Sequence, residues 1–167
     1  MNKVLSMGKE RPPLRGLYVI TGSALQARGN LVARVAQAIQ GGAALIQYRD
    51  KGIDTARREQ EVRALLDLCR AQQVPLIIND DVVLAHNTGA DGVHLGKEDG
   101  SLVYAREKLG AQAIIGVSCY ASLELALQAQ AAGADYVAFG SFYPSHTKPH
   151  AVPVAIDVLI EAKARLH

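Results

Sequence analysis

Two short apolar runs in this sequence end in carboxylates, and a third ends in a cluster that carries two cations. Pro75–Ile78 is followed by Asn79, Asp80 and Asp81, and Gly92–Leu95 by Glu98 and Asp99. Ala44–Gln47 is followed by Tyr48, Arg49, Asp50 and Lys51. Buried parallel strands read as unbroken apolar runs, and in α/β barrels chemistry gathers where such strands end. Carboxylates at two adjacent strand ends are oxygen ligands for a hard divalent cation, Mg2+ rather than Zn2+. Helix capping is the competing use of Asp80, Asp81 and Asp99, because Asp favours the turn before a helix. Arg49 and Lys51 supply positive charge, with a bidentate fork on the arginine. Arg57 begins a polar helix and reads as solvated. Thr21 and Ser118 end other apolar runs, and Ser145, Thr147 and Lys148 follow Asp135–Phe139 and Gly140. Such a collection suits a substrate with a diphosphate, whose charge must be neutralised as it leaves. A charged, solvated rim is the alternative for each residue taken alone.

The elements that must position these groups alternate. Residues 1–16 are polar, basic and carry Pro12-Pro13, and read as a loose tail; residues 17–167 read as one barrel domain. Expected strands are Leu17–Ile20, Ala44–Gln47, Pro75–Ile78, Gly92–Leu95, Ala113–Val117 and Asp135–Phe139. Helices are expected between them. One is capped by Asn30, with Val32, Val35, Ala36 and Ile39 at helical spacing, and Gly41-Gly42 stops it. The next begins at Asp54 or Thr55, with Val62, Leu65, Leu66 and Cys69 on its inner face, which makes Cys69 a core thiol. The last runs from Val154 to Leu166 with Ile156, Leu159 and Ile160 inward.

The 167 residues suffice for one domain with a real core, and 49% hydrophobic content with 15 glycines is globular in kind. Eighteen basic residues against 16 acidic leave a net charge of +2, too balanced to argue for a nucleic-acid or membrane partner. Two cysteines at no metal spacing, no membrane-length apolar run and no secretory leader point to the cytoplasm.

An internal repeat sharpens the fold class. Gly42-Ala43-Ala44, Gly89-Ala90-Asp91 and Gly133-Ala134-Asp135 recur at near-equal spacing, each closing a helix and opening an even-numbered strand. The repeating unit is therefore two strand–helix pairs. Four such units make a (β/α)8 TIM-type barrel of ~200 or more residues. This sequence holds about three, or six of the eight βα units. The rival, an open doubly wound sheet, lacks its G-x-G-x-x-G phosphate fingerprint after the first strand.

Five motifs in order resemble those of the thiamin phosphate synthase family: Gln47-Tyr48-Arg49-Asp50-Lys51; Asn79-Asp80-Asp81; Gly92-Val93-His94-Leu95-Gly96 with Asp99; Gly116-Val117-Ser118; and Pro144-Ser145-His146-Thr147-Lys148. The resemblance covers the chain from Leu17 onward. It implies a (β/α)8 fold and an Mg2+-dependent transferase that joins hydroxymethylpyrimidine diphosphate to a thiazole phosphate. The products would be thiamin phosphate and pyrophosphate. By the same resemblance, Gln47, Tyr48, Arg49, Asp50, Lys51 and Asn79 would hold the pyrimidine diphosphate, and Asp80 and Asp99 the metal. Ser118 would lie beside the pyrimidine or its diphosphate. Ser145, His146, Thr147 and Lys148 would contact the thiazole phosphate and the departing pyrophosphate. Arg49, Lys51 and Lys148 are the expected catalytic cations. His94 reads as a packed, hydrogen-bonded histidine. Gly22 stands where the family usually has Asp, Ser145 where it has Thr, and the family's later Gly-Gly loop has no counterpart before His167. The alternative is a noncatalytic remnant or binding module that keeps the pyrimidine diphosphate half-site. A thiazole-tautomer isomerase is the third reading, against which the diphosphate-binding set argues. Small-molecule substrates are the expected partners, with self-association through open sheet edges.

Overall fold

The computed structural model describes residues 14–22, 30–96, 99–143 and 153–167. Strands β1 (Leu17–Ile20), β2 (Ala43–Tyr48), β3 (Leu76–Asn79), β4 (Gly92–Leu95), β5 (Ile114–Tyr120) and β6 (Tyr136–Phe139) form one parallel sheet. The described helices are α1 (Leu31–Gln40), α2 (Thr55–Ala71), α3 (Val82–Thr88), α4 (Leu102–Leu109), α5 (Leu123–Ala131) and α6 (Ile156–Arg165). Strand order in the sheet is β1-β2-β3-β4-β5-β6. Every strand lies beside its neighbour in sequence, so the order never reverses as it must in a doubly wound sheet. The sheet also curls. Tyr18 on β1 and Tyr136 on β6, at opposite edges, bring their hydroxyls to 2.8 Å. The fold is thus a partial barrel of the (β/α)8 type, helices outside.

Alternation along the strands divides the side chains between two cores. Ile46, Tyr48, Leu76, Ile78, Val93, Leu95 and Ile115 face outward and pack under the helices with Val62, Leu65, Leu66 and Cys69 of α2. Leu45, Ile77 and Ile114 face inward with Tyr18 and Tyr136. The inward layer is tight. A Cβ at Gly92 would run into the Ile114 backbone, so only glycine lets β4 and β5 approach there.

Local chemistry sets the helix ends. Asp54, Asp81, Ser101 and Ser122 each accept a backbone N–H as N-caps, and Gly89 closes α3 in the left-handed conformation. Asn30 occupies the N-cap position of α1 but makes no side-chain capping bond. The buried residues of α1 are Leu31 and Val35, while Val32 is exposed, one position off the expected stripe. The expected inner face of α6 is also turned out: Ile156 and Ile160 are 62% and 65% exposed, and Ala162 is the buried residue. Ala162 is small, and Ile156 and Ile160 fall away from it on the exposed side, while Leu166 packs against Cys119, Ala126 and Ala129.

Candidate active site

All the expected site residues in the described part of the chain sit at the C-terminal end of the sheet, but not on one side of it. Gln47 faces inward from β2 and is 2% exposed, with Arg49 two residues on. Thr21 fixes this strand end from β1. Its N–H donates to the Gln47 carbonyl at 2.9 Å, and its Oγ1 accepts the Arg49 N–H at 2.9 Å.

Tyr48 goes the other way. It is 1% exposed beneath α2, and its hydroxyl donates to Glu61 Oε2 at 2.6 Å. Burial, and then Glu61, push this phenol far above its ordinary range. Asp50 likewise turns toward α2, accepting the Gly52 N–H at 2.8 Å and pairing with Arg57, which also donates to Glu61 at 2.8 Å. Burial works against the Asp50 carboxylate, yet the Gly52 N–H and Arg57 outweigh it and hold the group below the usual range. The structure therefore does not bring Tyr48 and Asp50 to the other candidates. Arg57 is not simply solvated either: with Tyr48, Asp50 and Glu61 it fastens the loop that carries Lys51.

Asp80, after β3, adopts a left-handed backbone at φ +66, a conformation that Asp tolerates better than most residues but that still marks local strain. Its N–H donates to the His94 carbonyl at 2.8 Å, tying β3 to β4 at the site. Its carboxylate pairs with the Lys51 ammonium and hydrogen-bonds to Asp99. Asp99 in turn accepts the Gly96 N–H at 2.8 Å, and a Cβ on Gly96 would crowd that same oxygen. Two carboxyls in contact cannot both ionise cheaply. Burial and the bond to Asp80 raise Asp99 above the usual carboxylate range. Asp80 is lowered: burial opposes its charge, but the bond to Asp99, Lys51 and the nearby charge of Arg49 prevail. The two carboxyls meet where a divalent cation could sit. Among the described residues no cluster of three or more acidic, His or Cys side chains occurs, so a cation here would draw its remaining ligands from water or substrate oxygens, as Mg2+ commonly does.

Asp81 serves the helix instead. Its Oδ1 caps α3 through the Leu84 N–H at 2.8 Å, and its Oδ2 pairs with Arg58 at 3.0 Å. Asn79 follows Ile77 on the inward face of β3. Ser118, half-buried on β5, lies 2.8 Å from His94 Nε2, and His94 Nδ1 lies 2.9 Å from the Tyr136 hydroxyl. His94 is 8% exposed, the packed and hydrogen-bonded histidine its setting in the sequence anticipates. Glu98, Ser145, His146, Thr147 and Lys148 lie outside the described residues. Sequence reasoning missed Tyr18 and Tyr136. Their signal was a phenol inside each of two edge strands, an aromatic body with a polar tip that needs a partner when buried.

The family model described as thiamine monophosphate synthase matches residues 17–167. A thiamine-phosphate synthase of Nitrosococcus oceani is 51% identical over 92% of this chain and 71% of its own length. That of Marinobacter nauticus is 53% identical over 95% of this chain and 72% of its own. Among solved structures, a thiamine phosphate pyrophosphorylase from Pyrococcus furiosus superposes with a TM-score of 0.78 at 35% identity, covering 90% of this chain and 70% of that one. Sequence and fold agree over the same span: this chain belongs to the thiamine monophosphate synthase family.

Proposed function

We propose that this chain is a transferase that joins hydroxymethylpyrimidine diphosphate to a thiazole phosphate, releasing pyrophosphate and leaving thiamin phosphate. The observation that carries the reading is the Asp80–Asp99 carboxyl pair with Lys51 on it and Arg49 close by. This is a metal-and-cation face built for a diphosphate rather than for a neutral ligand.

The donor set fits Mg2+: two carboxylates of adjacent strand ends are the hard oxygen ligands this ion takes, with phosphate oxygens and water as the further ligands it commonly uses. Bound there by Asp80 and Asp99, Mg2+ would neutralise the diphosphate and make it a better leaving group. The chain's own residues do the rest. Gln47 and Asn79 hold the pyrimidine diphosphate on the inward face, and Ser118 meets the pyrimidine. Arg49 and Lys51 bind the diphosphate oxygens as the bond from the methylene carbon to oxygen breaks and charge moves onto the leaving group. The electron-rich aminopyrimidine supports the methylene cation, and the thiazole nitrogen supplies the electron pair for the new carbon–nitrogen bond. Ser145, His146, Thr147 and Lys148 are assigned to the thiazole phosphate and the departing pyrophosphate. No strong general base is needed, and the site offers cations and hydrogen-bond donors instead. Tyr48 and Asp50 act indirectly, through the loop they hold with Arg57 and Glu61.

The reading places the enzyme in the cytoplasm, where buried thiols such as Cys69 and Cys119 stay reduced. No helix among the described residues is long and apolar enough to cross a membrane. The test is to supply both substrates with Mg2+ and measure products. Thiamin phosphate and pyrophosphate should form in equal amounts, and neither without the thiazole phosphate. Pyrimidine diphosphate that binds but is never consumed would instead make the chain a binding module.

A further inference from the structure

A line of hydrogen bonds crosses the inward face of the sheet, and its three middle members have no part in the function proposed above. Gln47 Nε2 donates to the Tyr18 hydroxyl at 2.7 Å, and the Tyr18 and Tyr136 hydroxyls are 2.8 Å apart. The Tyr136 hydroxyl lies 2.9 Å from His94 Nδ1, and His94 Nε2 lies 2.8 Å from Ser118 Oγ. Five strands, β2, β1, β6, β4 and β5 in that order, contribute one residue each. The two ends, Gln47 and Ser118, are the groups assigned to the pyrimidine half of the substrate.

We infer that Tyr136 is a positioning residue that sets the orientations of Gln47 and Ser118 jointly, so that the Ser118 O–H is left for the pyrimidine while the Gln47 amide donates into the line. The inference rests on the function proposed above. Proton counting carries it. Each hydroxyl has one proton, and a neutral imidazole donates from one nitrogen and accepts at the other. With the Gln47 amide donating, Tyr18 must donate to Tyr136 and Tyr136 to His94 Nδ1. The histidine proton then sits on Nε2 and is given to Ser118. Ser118 keeps its own O–H for the ligand, and Gln47 keeps Oε1 as an acceptor. Turning the amide round reverses every link: Ser118 gives its O–H to His94 and keeps only lone pairs for the ligand. The two ends are therefore coupled through one proton: the Ser118 O–H is free for ligand while the Gln47 amide donates into the line, and is committed to His94 when the amide is reversed. A ring nitrogen of an aminopyrimidine needs that O–H, and the amino group can use Gln47 Oε1.

Packing keeps Tyr136 at the centre of the line. A Cβ at Gly116 would overlap its ring, so glycine makes the seat. The His94 ring stacks on it at 5.6 Å and 26°, and Tyr18 meets it edge-on at 5.8 Å and 83°. Burial pushes both phenols above their ordinary range, which keeps the two hydroxyl protons in place.

The experiment compares the unaltered chain with Tyr136→Phe and, one link away at the sheet edge, Tyr18→Phe. Three quantities are read: the dissociation constant for the pyrimidine diphosphate with Mg2+, the thermal midpoint, and the nitrogen-15 shifts of the His94 ring. Tyr136→Phe should weaken binding about tenfold with little change in midpoint. The His94 shifts should move from one tautomer to a mixture, and Tyr18→Phe should move affinity in the same direction by less. Unchanged affinity and an unchanged His94 tautomer in both variants would overturn the inference while leaving the functional reading intact. Absence of binding by the unaltered chain would overturn both.

Discussion

Asp91 and Asp135 open β4 and β6, whereas Asp80 and Asp99 follow β3 and β4. The four carboxylates therefore sit at opposite ends of the same sheet. At the N-terminal end each is consumed by the fold. The Asp91 N–H donates to the Leu76 carbonyl at 3.0 Å while its carboxylate accepts the Leu76 N–H at 2.8 Å. Asp135 does the same with Ile115, at 2.8 Å and 2.8 Å, and adds Arg106 at 2.7 Å. Each aspartate locks an even-numbered strand to the register of the strand before it. At the C-terminal end the carboxylates meet each other and a lysine on a flexible stem, and one of them sits on a left-handed backbone. A carboxylate that ties its own strand to the preceding one through backbone N–H groups is structural. One that faces a second carboxylate has coordination to offer, even where, as in Asp99, one oxygen also accepts a backbone N–H.

Asp80→Asn and Asp99→Asn should have the largest effect on that contrast. Asn tolerates the left-handed backbone as Asp does, so the fold should survive. Mg2+-dependent affinity for the pyrimidine diphosphate should fall at least about 100-fold, measured by calorimetry. Retention of affinity in both variants would remove the metal assignment. Arg49→Ala comes next, with a loss of about 10- to 100-fold in diphosphate affinity and little change in thermal midpoint. Arg57→Ala should behave differently, lowering the midpoint and weakening binding by only a few-fold, because it loosens the loop that bears Lys51 without touching ligand. Equal affinity losses with equal midpoints would mean that Arg49 belongs to a general charged rim.

At the other end of the sheet, Asp135→Asn should cost about 1–2 kcal/mol of stability and leave ligand affinity unchanged, as chemical denaturation and the same calorimetry would report. A loss of affinity without a loss of stability would place Asp135 in the site. The smallest expected effect is one of acid response. The Asp50 carboxyl is lowered in the folded chain, so its contribution is present above its ordinary value of 3.8 and is lost as pH falls through the folded one. Asp99 is raised, so its contribution is full below 3.8 and is lost as pH rises through the folded value. Midpoint against pH should therefore change in opposite senses for Asp50→Asn and Asp99→Asn in metal-free protein. Parallel curves would deny the difference between the two carboxylates.

Much of this was legible in the sequence because parallel strands are short apolar runs with glycine before them. All six strands fall within two or three residues of their expected places, and the repeat that opens the even strands is the one that Asp91 and Asp135 use. What failed was facing. Tyr48 and Asp50 lie inside the Gln47–Lys51 motif, yet each is one residue out of phase with Gln47, Arg49 and Lys51, and a one-residue step on a strand changes face. The period-two rule alone would have separated them. The Tyr18–Tyr136 bond was beyond any local pattern, because it depends on how far six strands curl before their edges meet. In α6 the apolar spacing was read correctly, but which face a helix buries is decided by the surface it packs on.

The most direct test of the account is a titration of the unaltered chain with hydroxymethylpyrimidine diphosphate, with and without Mg2+, at neutral pH. A carboxyl pair that takes up a cation should give saturable binding with Mg2+ and little binding without it. Equal affinity in the two titrations would contradict the claim that the C-terminal end of this sheet is a metal-dependent diphosphate site.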